Sequence, residues 1–225
     1  MNLRIEEITP DRLSEYASVP MKFEVRSIFV VEEADRGLGG LRFREEKVDK
    51  PYIKDYDSYE DLYSEKVKEP ELRSHETHKT GSPWRCEATS WGKGPESWPT
   101  HFDISNWGLF MAFDGERPVG AAAVAWNTSG VNMLEGRTDI AVLWDIRVHP
   151  DFKGQGIGAM LFDHAACWAR SKGCKKLKIE TQNVNVPACR FYVKQGCHLG
   201  QINRYGYYGH SQVSSEVMLV WYLYL

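Results

Sequence analysis

The chain has 225 residues, 42% of them apolar, enough to bury a core without disulfide or metal staples. Its net charge of −3 excludes the basic excess of a general nucleic-acid binder, and no apolar run approaches the roughly 18 residues a membrane span needs. The N-terminal MNLRIEEITPDRL lacks a secretory apolar stretch, and five cysteines without a Cys-x-x-Cys pair read as reduced thiols, so a cytoplasmic protein is expected.

Leu3 and Ile5 alternate with polar residues as in a short strand, and Pro10-Asp11 offers a helix start. KFEVRSIFVV at 22–31 is rich in β-branched and aromatic residues, and glycines 37, 39 and 40 mark a turn after it. From about 44 to 104 the pattern weakens. Charge clusters and SPWRCEATSWGKGPESWP suggest a long irregular insertion, helical at Asp61 to Lys68, of the kind that forms lids and binding loops. WGLFMAF and RPVGAAAVAW then flank Asp114-Gly115, a strong hairpin signal. After a loop at 127–138, residues 139–148 read as a mostly buried strand with Ile140, Val142, Trp144, Ile146 and Val148 on one face. Ile157 to Trp168 recur at helical spacing, with Gly173 as the C-terminal cap. KLKIETQ alternates as a strand, Asn185 and Pro187 open a short helix that Gly196 ends, and EVMLVWYLYL closes the chain as an apolar strand. One domain over 1–225, carrying the 44–104 insertion, is the expected organisation.

Chemistry enters at VHPDFKGQGIGA, Val148 to Ala159, where glycines alternate between a strand and a helix. Glycine exposes converging backbone N–H donors, and the helix N-terminus adds more, so this turn suits a pyrophosphate. A dinucleotide site fits Gly154, Gly156 and Ala159, with Glu180 at about the expected distance. Against it stand the intervening His149 to Lys153, too little remaining chain for the parallel strands required, and the mixed sheet. A P-loop is excluded because no Gly-Lys-Ser/Thr follows.

The whole stretch, Val148-x-Pro150-x-x-Lys153-x-x-Gly156-x-Gly158, resembles the acyl-coenzyme A signature of the GNAT superfamily of N-acetyltransferases, with Lys153 at its Arg/Gln position. Asn185-x-x-Ala188-x-x-Phe191-Tyr192-x-x-x-Gly196 is similar to the family's second signature, with Cys197 replacing a final Phe. LKIETQNVNVPACRFYVKQGCHLG, together with FEVRSIF, PYIKDYD and the terminal WYLYL, resembles bacterial streptothricin acetyltransferases. The chain departs from their Glu-Asp-Ile-Ala-Val at Trp144-Asp145-Ile146-Arg147-Val148.

The resemblance implies a GNAT fold of the α/β class: a mixed central sheet with splayed central strands, flanked by helices. It implies direct attack of a neutral amine on acetyl-CoA, a co-substrate, with both substrates bound. It places acetyl-CoA on Ile146, Arg147, Val148, Lys153, Gly154, Gln155, Gly156, Ile157, Gly158, Asn185, Ala188 and Tyr192. A backbone N–H near Val148 would polarise the carbonyl, and Tyr192 would return a proton to the thiolate. Asp145 is a candidate base, or equally the ion-pair partner of Arg147; Asp55, Asp57 or a water chain are the other bases in view. Tyr192 could instead be a packing tyrosine, and Asn185 can cap its helix, bind pantetheine, or both.

His75, His78 and Cys86 lack a fourth ligand, so no metal is expected. His164 reads as a core residue. Trp84, Trp91, Trp98 and Trp107 read as an acceptor pocket or as a satellite core. The acceptor expected is a primary amine on a small molecule, an antibiotic such as streptothricin among the candidates. A protein N-terminus or lysine is one alternative, and a non-catalytic CoA-binding module is another. No nucleic-acid or membrane partner is expected, and a homodimer is compatible with the sequence.

Overall fold

The computed structural model describes residues 2–58, 94–208 and 212–225. Its centre is a seven-stranded sheet. The strands are β1 (Leu3–Glu7), β4 (Gly108–Asp114), β5 (Arg117–Trp126), β6 (Ile140–Val148), β7 (Lys176–Gln182), β8 (His198–Asn203) and β9 (Met218–Tyr224), in the order β1-β4-β5-β6-β7-β9-β8. Only β6 and β7 run parallel; every other neighbouring pair is antiparallel. Asp114-Gly115 turns the β4–β5 hairpin as its sequence predicts, with Gly115 in the left-handed region at φ 61°.

Helices cover both faces. On one, α3 (Ile157–Ser171) buries Ile157, Leu161, Phe162, Ala165, Ala166 and Ala169 against β4, β5 and β6, and α4 (Val186–Lys194) adds Cys189 and Tyr192 to the same core. The run Gly120 to Ala123 lets the helix approach: a Cβ on Gly120 would sit 2.8 Å from Leu161 Cδ1 and 2.9 Å from Ile157 Cγ2. On the other face, α1 (Leu13–Ala17) and α2 (Trp98–His101) supply Leu13, Tyr16 and Trp98 to a second core that includes Trp107, Leu109, Met111, Ile140 and Val142.

A two-stranded ribbon, β2 (Lys22–Glu33) with β3 (Leu41–Asp55), leans on the β7–α4 junction. Phe29 exchanges hydrogen bonds with Asn183: its N–H donates to the Asn183 carbonyl at 3.0 Å, and its carbonyl accepts from Asn183 Nδ2 at 2.8 Å. Buried Lys54 pairs with both carboxylate oxygens of Glu216. The ladder is regular from Glu33↔Leu41 to Ser27↔Lys47 and resumes at Val25↔Tyr52. Pro51, which has no N–H to donate, lies in the gap.

The ribbon corrects the sequence reading of an irregular chain from 44, since 44–55 is strand. Both ribbon faces are largely solvated, so RFREEKVDK carries no apolar alternation to betray it. The expected helix at Asp61 to Lys68 lies outside the described residues, as do Trp84, Trp91, His75, His78 and Cys86. His164 is exposed rather than in the core, its ring centroid 4.7 Å from that of Phe110 in an edge-on arrangement. Cys174, Cys189 and Cys197 are buried free thiols and Cys167 an exposed one. Among the described residues no helix is long and apolar enough to cross a membrane.

Candidate active site

The site begins with a break in β6. Ala123 pairs with Asp145 and Val124 with Leu143, leaving Trp144 as the extra residue of a bulge. Before it, Ile140, Val142 and Trp144 face α1 and α2, while Ala141 and Leu143 face α3. After it the faces exchange. Ile146 and Val148 pack toward α3, and Asp145 and Arg147 turn toward Tyr16 of α1. Strict alternation in the sequence puts Trp144, Ile146 and Val148 on one face; the bulge separates them.

At the same point the sheet opens. The β6–β7 pairing runs from Ile140↔Lys176 to Leu143↔Ile179 and stops. Beyond it β6 pairs only with β5, and β7 only with β9. The His149 N–H donates to the Val119 carbonyl at 2.9 Å, so alternation turns the Ile146 and Val148 N–H groups toward the opening. The expected splay is therefore present, with backbone donors on its edge.

The glycine turn lies at the mouth of that opening. Gly154 and Gly156 have φ 78° and 86°, a region glycine alone enters freely, and a Cβ at either would meet nothing within 4 Å. Gly156 caps α3 without any side-chain bond, leaving first-turn N–H groups and the positive helix end pointing outward. Such a turn binds anions.

Between β6, β7, α3, α4 and the base of the ribbon lies a cleft of about 480 Å³. This falls within the roughly 300–1,000 Å³ of small-molecule and cofactor sites. Ile146, Arg147, Val148, Lys153, Gly154, Gly156, Ile157, Gly158, Asn185, Ala188 and Tyr192 all line it. Gln155 does not line it; its amide donates to the Asp151 carbonyl at 3.2 Å. Lys153 donates to the Lys22 carbonyl at 2.8 Å, and burial lowers its ammonium pKa. Asn185 caps α4, its Oδ1 accepting from the Ala188 N–H at 3.2 Å, while also lining the cleft.

Tyr192 follows Val186 and Cys189 along the buried stripe of α4, and its ring lies 6.3 Å from that of Trp221. Burial is the chief cause holding its phenol well above the ordinary pKa, so it stays protonated through the neutral range. Among the described residues its hydroxyl bonds no protein group, and it borders the cleft. Gly196, at φ 83°, ends the helix, and buried Cys197 occupies the position where the family signature has Phe.

Asp145 stands elsewhere. Of the two roles its sequence leaves open, the structure displays the ion pair. Arg147 grips it with two bonds, Nε to Oδ1 at 2.9 Å and Nη2 to Oδ2 at 2.6 Å, and the Tyr16 hydroxyl donates to Oδ1 at 2.8 Å. Arg147 also reaches Asp57 Oδ1 and the Val19 carbonyl, each at 3.0 Å. Burial draws the guanidinium pKa down, but Asp145, Tyr16 and Asp57 more than reverse this, and it stays charged.

These charges form one wall of a second, much smaller cavity of about 20 Å³, room for about one water, bounded also by Met21, Tyr56, Gly94, Pro95, Trp98 and Trp144. Met21, Tyr56 and Arg147 line both cavities, so the two adjoin. Trp98 and Trp107 are buried in the second core, as the satellite-core reading expects, and Trp98 also borders the small cavity.

Thr181 and Gln182, missed in the sequence, and Glu180, weighed there only for a dinucleotide site, end β7 at the opening and line the cleft. Glu180 is the carboxylate among the described lining residues, and it accepts from the Tyr207 hydroxyl at 2.7 Å. The signal was the Glu-Thr-Gln itself, which sits where the second strand of a splayed pair must end. Tyr56, whose hydroxyl donates to Gln182 Oε1, was also missed.

The fold and cleft define an α/β protein with a mixed sheet opened between its parallel strands. More particularly, the chain belongs to the Acetyltransferase (GNAT) family, whose sequence profile matches residues 79–197. It is similar to a streptothricin acetyltransferase of Escherichia coli, 38% identical over 84 residues, which are 37% of this chain and 48% of that protein. It is likewise similar to streptothricin acetyltransferase A of Bacillus subtilis strain 168, 32% identical over 82 residues, 36% of this chain and 47% of that one. The chain thus spans about half the length of the curated relatives it matches. Among solved structures, nourseothricin acetyltransferase shares the fold over 100% of this chain and 99% of its own, with TM-score 0.65 and 22% identity.

Proposed function

We propose that this protein transfers the acetyl group of acetyl-CoA to a primary amine of a small molecule, in a ternary complex. The observation that carries the reading is the conjunction, at one opening in the sheet, of free β6 amides, the glycine turn and Tyr192. The residues present fit the cofactor. Gly154 and Gly156 leave open space where side chains would stand, and the uncapped end of α3 complements a pyrophosphate. Acetyl-CoA supplies, when bound, an activated thioester.

The protein's own groups do the rest. The Val148 N–H faces the opening and would donate to the carbonyl oxygen, where negative charge grows during attack. Asn185 and Ala188 line the path a pantetheine arm would follow. Tyr192, kept protonated by burial, would hold the proton that the departing sulfur needs. An acceptor ammonium must lose its own proton first. Glu180, oriented by Tyr207, is the base favoured by position, because the Asp145 carboxylate is committed to Arg147. Asp145 then acts by positioning Arg147.

The similarity to streptothricin acetyltransferases makes an aminated antibiotic the first acceptor to try. The test is release of coenzyme A thiol across an amine library that includes streptothricin and short peptides. Turnover with small amines alone is expected. Turnover restricted to peptides would favour a protein acceptor, and silence throughout would favour a non-catalytic CoA-binding module.

A further inference from the structure

The end of β7 carries a polar side chain that the rest of the described protein leaves unpaired. Glu180, Thr181 and Gln182 follow the last β6–β7 pair, Leu143↔Ile179, and all three line the cleft. Two of them are engaged. Glu180 accepts from the Tyr207 hydroxyl and Gln182 from the Tyr56 hydroxyl. Thr181 is 5% exposed, yet among the described residues its hydroxyl has no hydrogen-bond partner. The strand fixes the face it occupies. Leu177 and Ile179 lie in the core under α3 and α4, and alternation puts Thr181 on their side. Leu219, opposite Thr181 on β9, belongs to the same core. The hydroxyl is not sealed in. Among the described residues, the fully enclosed side-chain nitrogen or oxygen without a partner is Trp221 Nε1. Thr181 Oγ1, which also lacks a partner, is therefore open to the cleft that Thr181 lines. Burying a hydroxyl without a hydrogen bond is unfavourable, so this position calls for a ligand.

We infer that the Thr181 hydroxyl hydrogen-bonds an amide of the pantetheine arm of acetyl-CoA. The surroundings select a neutral group. Ile179, Cys189, Tyr192 and Leu219 make this face apolar, whereas a phosphate finds its donors at the glycine turn. A hydroxyl both donates and accepts, so it can meet either the carbonyl or the N–H of an amide. The arm is the part of the cofactor that carries amides between the phosphates and the sulfur. It must therefore pass from the glycine turn toward Tyr192, along the opening that Thr181 borders. On the other side of that opening stand the Ile146 and Val148 N–H groups of β6. The arm is thus held from both strands, by backbone donors on β6 and by a side-chain hydroxyl on β7. This rests on the acetyl-CoA reading above and adds a residue to it.

The test is calorimetric titration of the full chain with two ligands. One is coenzyme A; the other is adenosine 3′-phosphate 5′-diphosphate, the part of coenzyme A that remains when the pantetheine arm is removed. Thr181→Val removes the hydroxyl and keeps the branched shape. It should bind coenzyme A about fivefold more weakly than the wild type, as the loss of one hydrogen bond implies. Its affinity for the armless nucleotide should be unchanged, which a merely structural role would not produce. Thr181→Ser restores a hydroxyl and should recover most of the affinity for coenzyme A. Thr181→Ala lacks the hydroxyl too and replaces Thr181→Val should that variant not fold. Unchanged affinity for coenzyme A without the hydroxyl, or an equal loss for both ligands, would overturn the role of Thr181 while leaving the cofactor reading intact. A wild type that binds neither ligand would overturn both.

Discussion

Arg147→Met should cost this protein more stability than any loss of packing explains. The guanidinium is 3% exposed and Asp145 is 5% exposed, and two bonds at 2.9 and 2.6 Å join them. Removing one member of such a buried pair leaves the other charge without its counter-ion, a loss of about 3–5 kcal/mol. For a chain of this size each kcal/mol lowers the melting midpoint by about 2–4 °C, so a fall of about 6–20 °C is expected. Asp145→Asn keeps the oxygen that accepts from Tyr16 but removes the charge. Combining it with Arg147→Met should therefore cost less than the sum of the two single changes, because neither charge is then stranded. Urea unfolding of the wild type, both single variants and the double variant gives the coupling directly. A single-variant loss below about 1 kcal/mol, or strict additivity across the cycle, would refute the claim that Asp145 and Arg147 form a coupled buried pair on β6.

Other outcomes follow from the same geometry. Tyr192→Phe should lower kcat by about 100-fold or more at unchanged acetyl-CoA affinity, and a variant as fast as wild type would remove Tyr192 from the chemistry. Glu180→Gln should depress kcat most at low pH, where amine deprotonation is hardest, while Asp145→Asn should show no such pH-dependent loss; the reverse pattern in kcat against pH would return the base role to Asp145. Gly120→Val should destabilise by about 1–3 kcal/mol, since α3 leaves no room for a side chain there; wild-type unfolding would contradict that close approach. Burial pushes the Cys189 thiol up to about 12, and those of Cys174 and Cys197 up to about 11, from an ordinary 9.0. The unfolded chain then loses these protons first, so stability should be full below pH 9 and fall as the pH rises toward 11. Melting midpoints across that window check the sign, and Cys189→Ala should flatten part of the decline.

What could be read from the sequence divides along physical lines. The hairpin at Asp114-Gly115, the glycine turn and the Asn185 cap were legible because each is local, fixed by a few residues with special backbone demands. The ribbon arm at 44–55 was not, because a strand solvated on both faces has no apolar period. The bulge at Trp144 was invisible for a related reason: an inserted residue leaves composition unchanged and only shifts which face follows. That shift decides the site, since it sends Asp145 to the small cavity, Ile146 and Val148 to the cleft, and Arg147 to the border of the two. Glu180 and Tyr56 join the site through pairings between distant segments, which residue types alone do not announce.

Acetyl-CoA is proposed to lie on the glycine turn and in the opening between β6 and β7. Calorimetric titration of acetyl-CoA into the wild type and Gly156→Val tests it most directly. At φ 86° a β-branched residue strains the turn, while the absence of any atom within 4 Å leaves the rest of the fold undisturbed. Saturable binding by the wild type in the micromolar range is expected, weakened by about tenfold or more in a variant that keeps its circular dichroism spectrum. No binding at millimolar acetyl-CoA, or equal affinity in the folded variant, would contradict it.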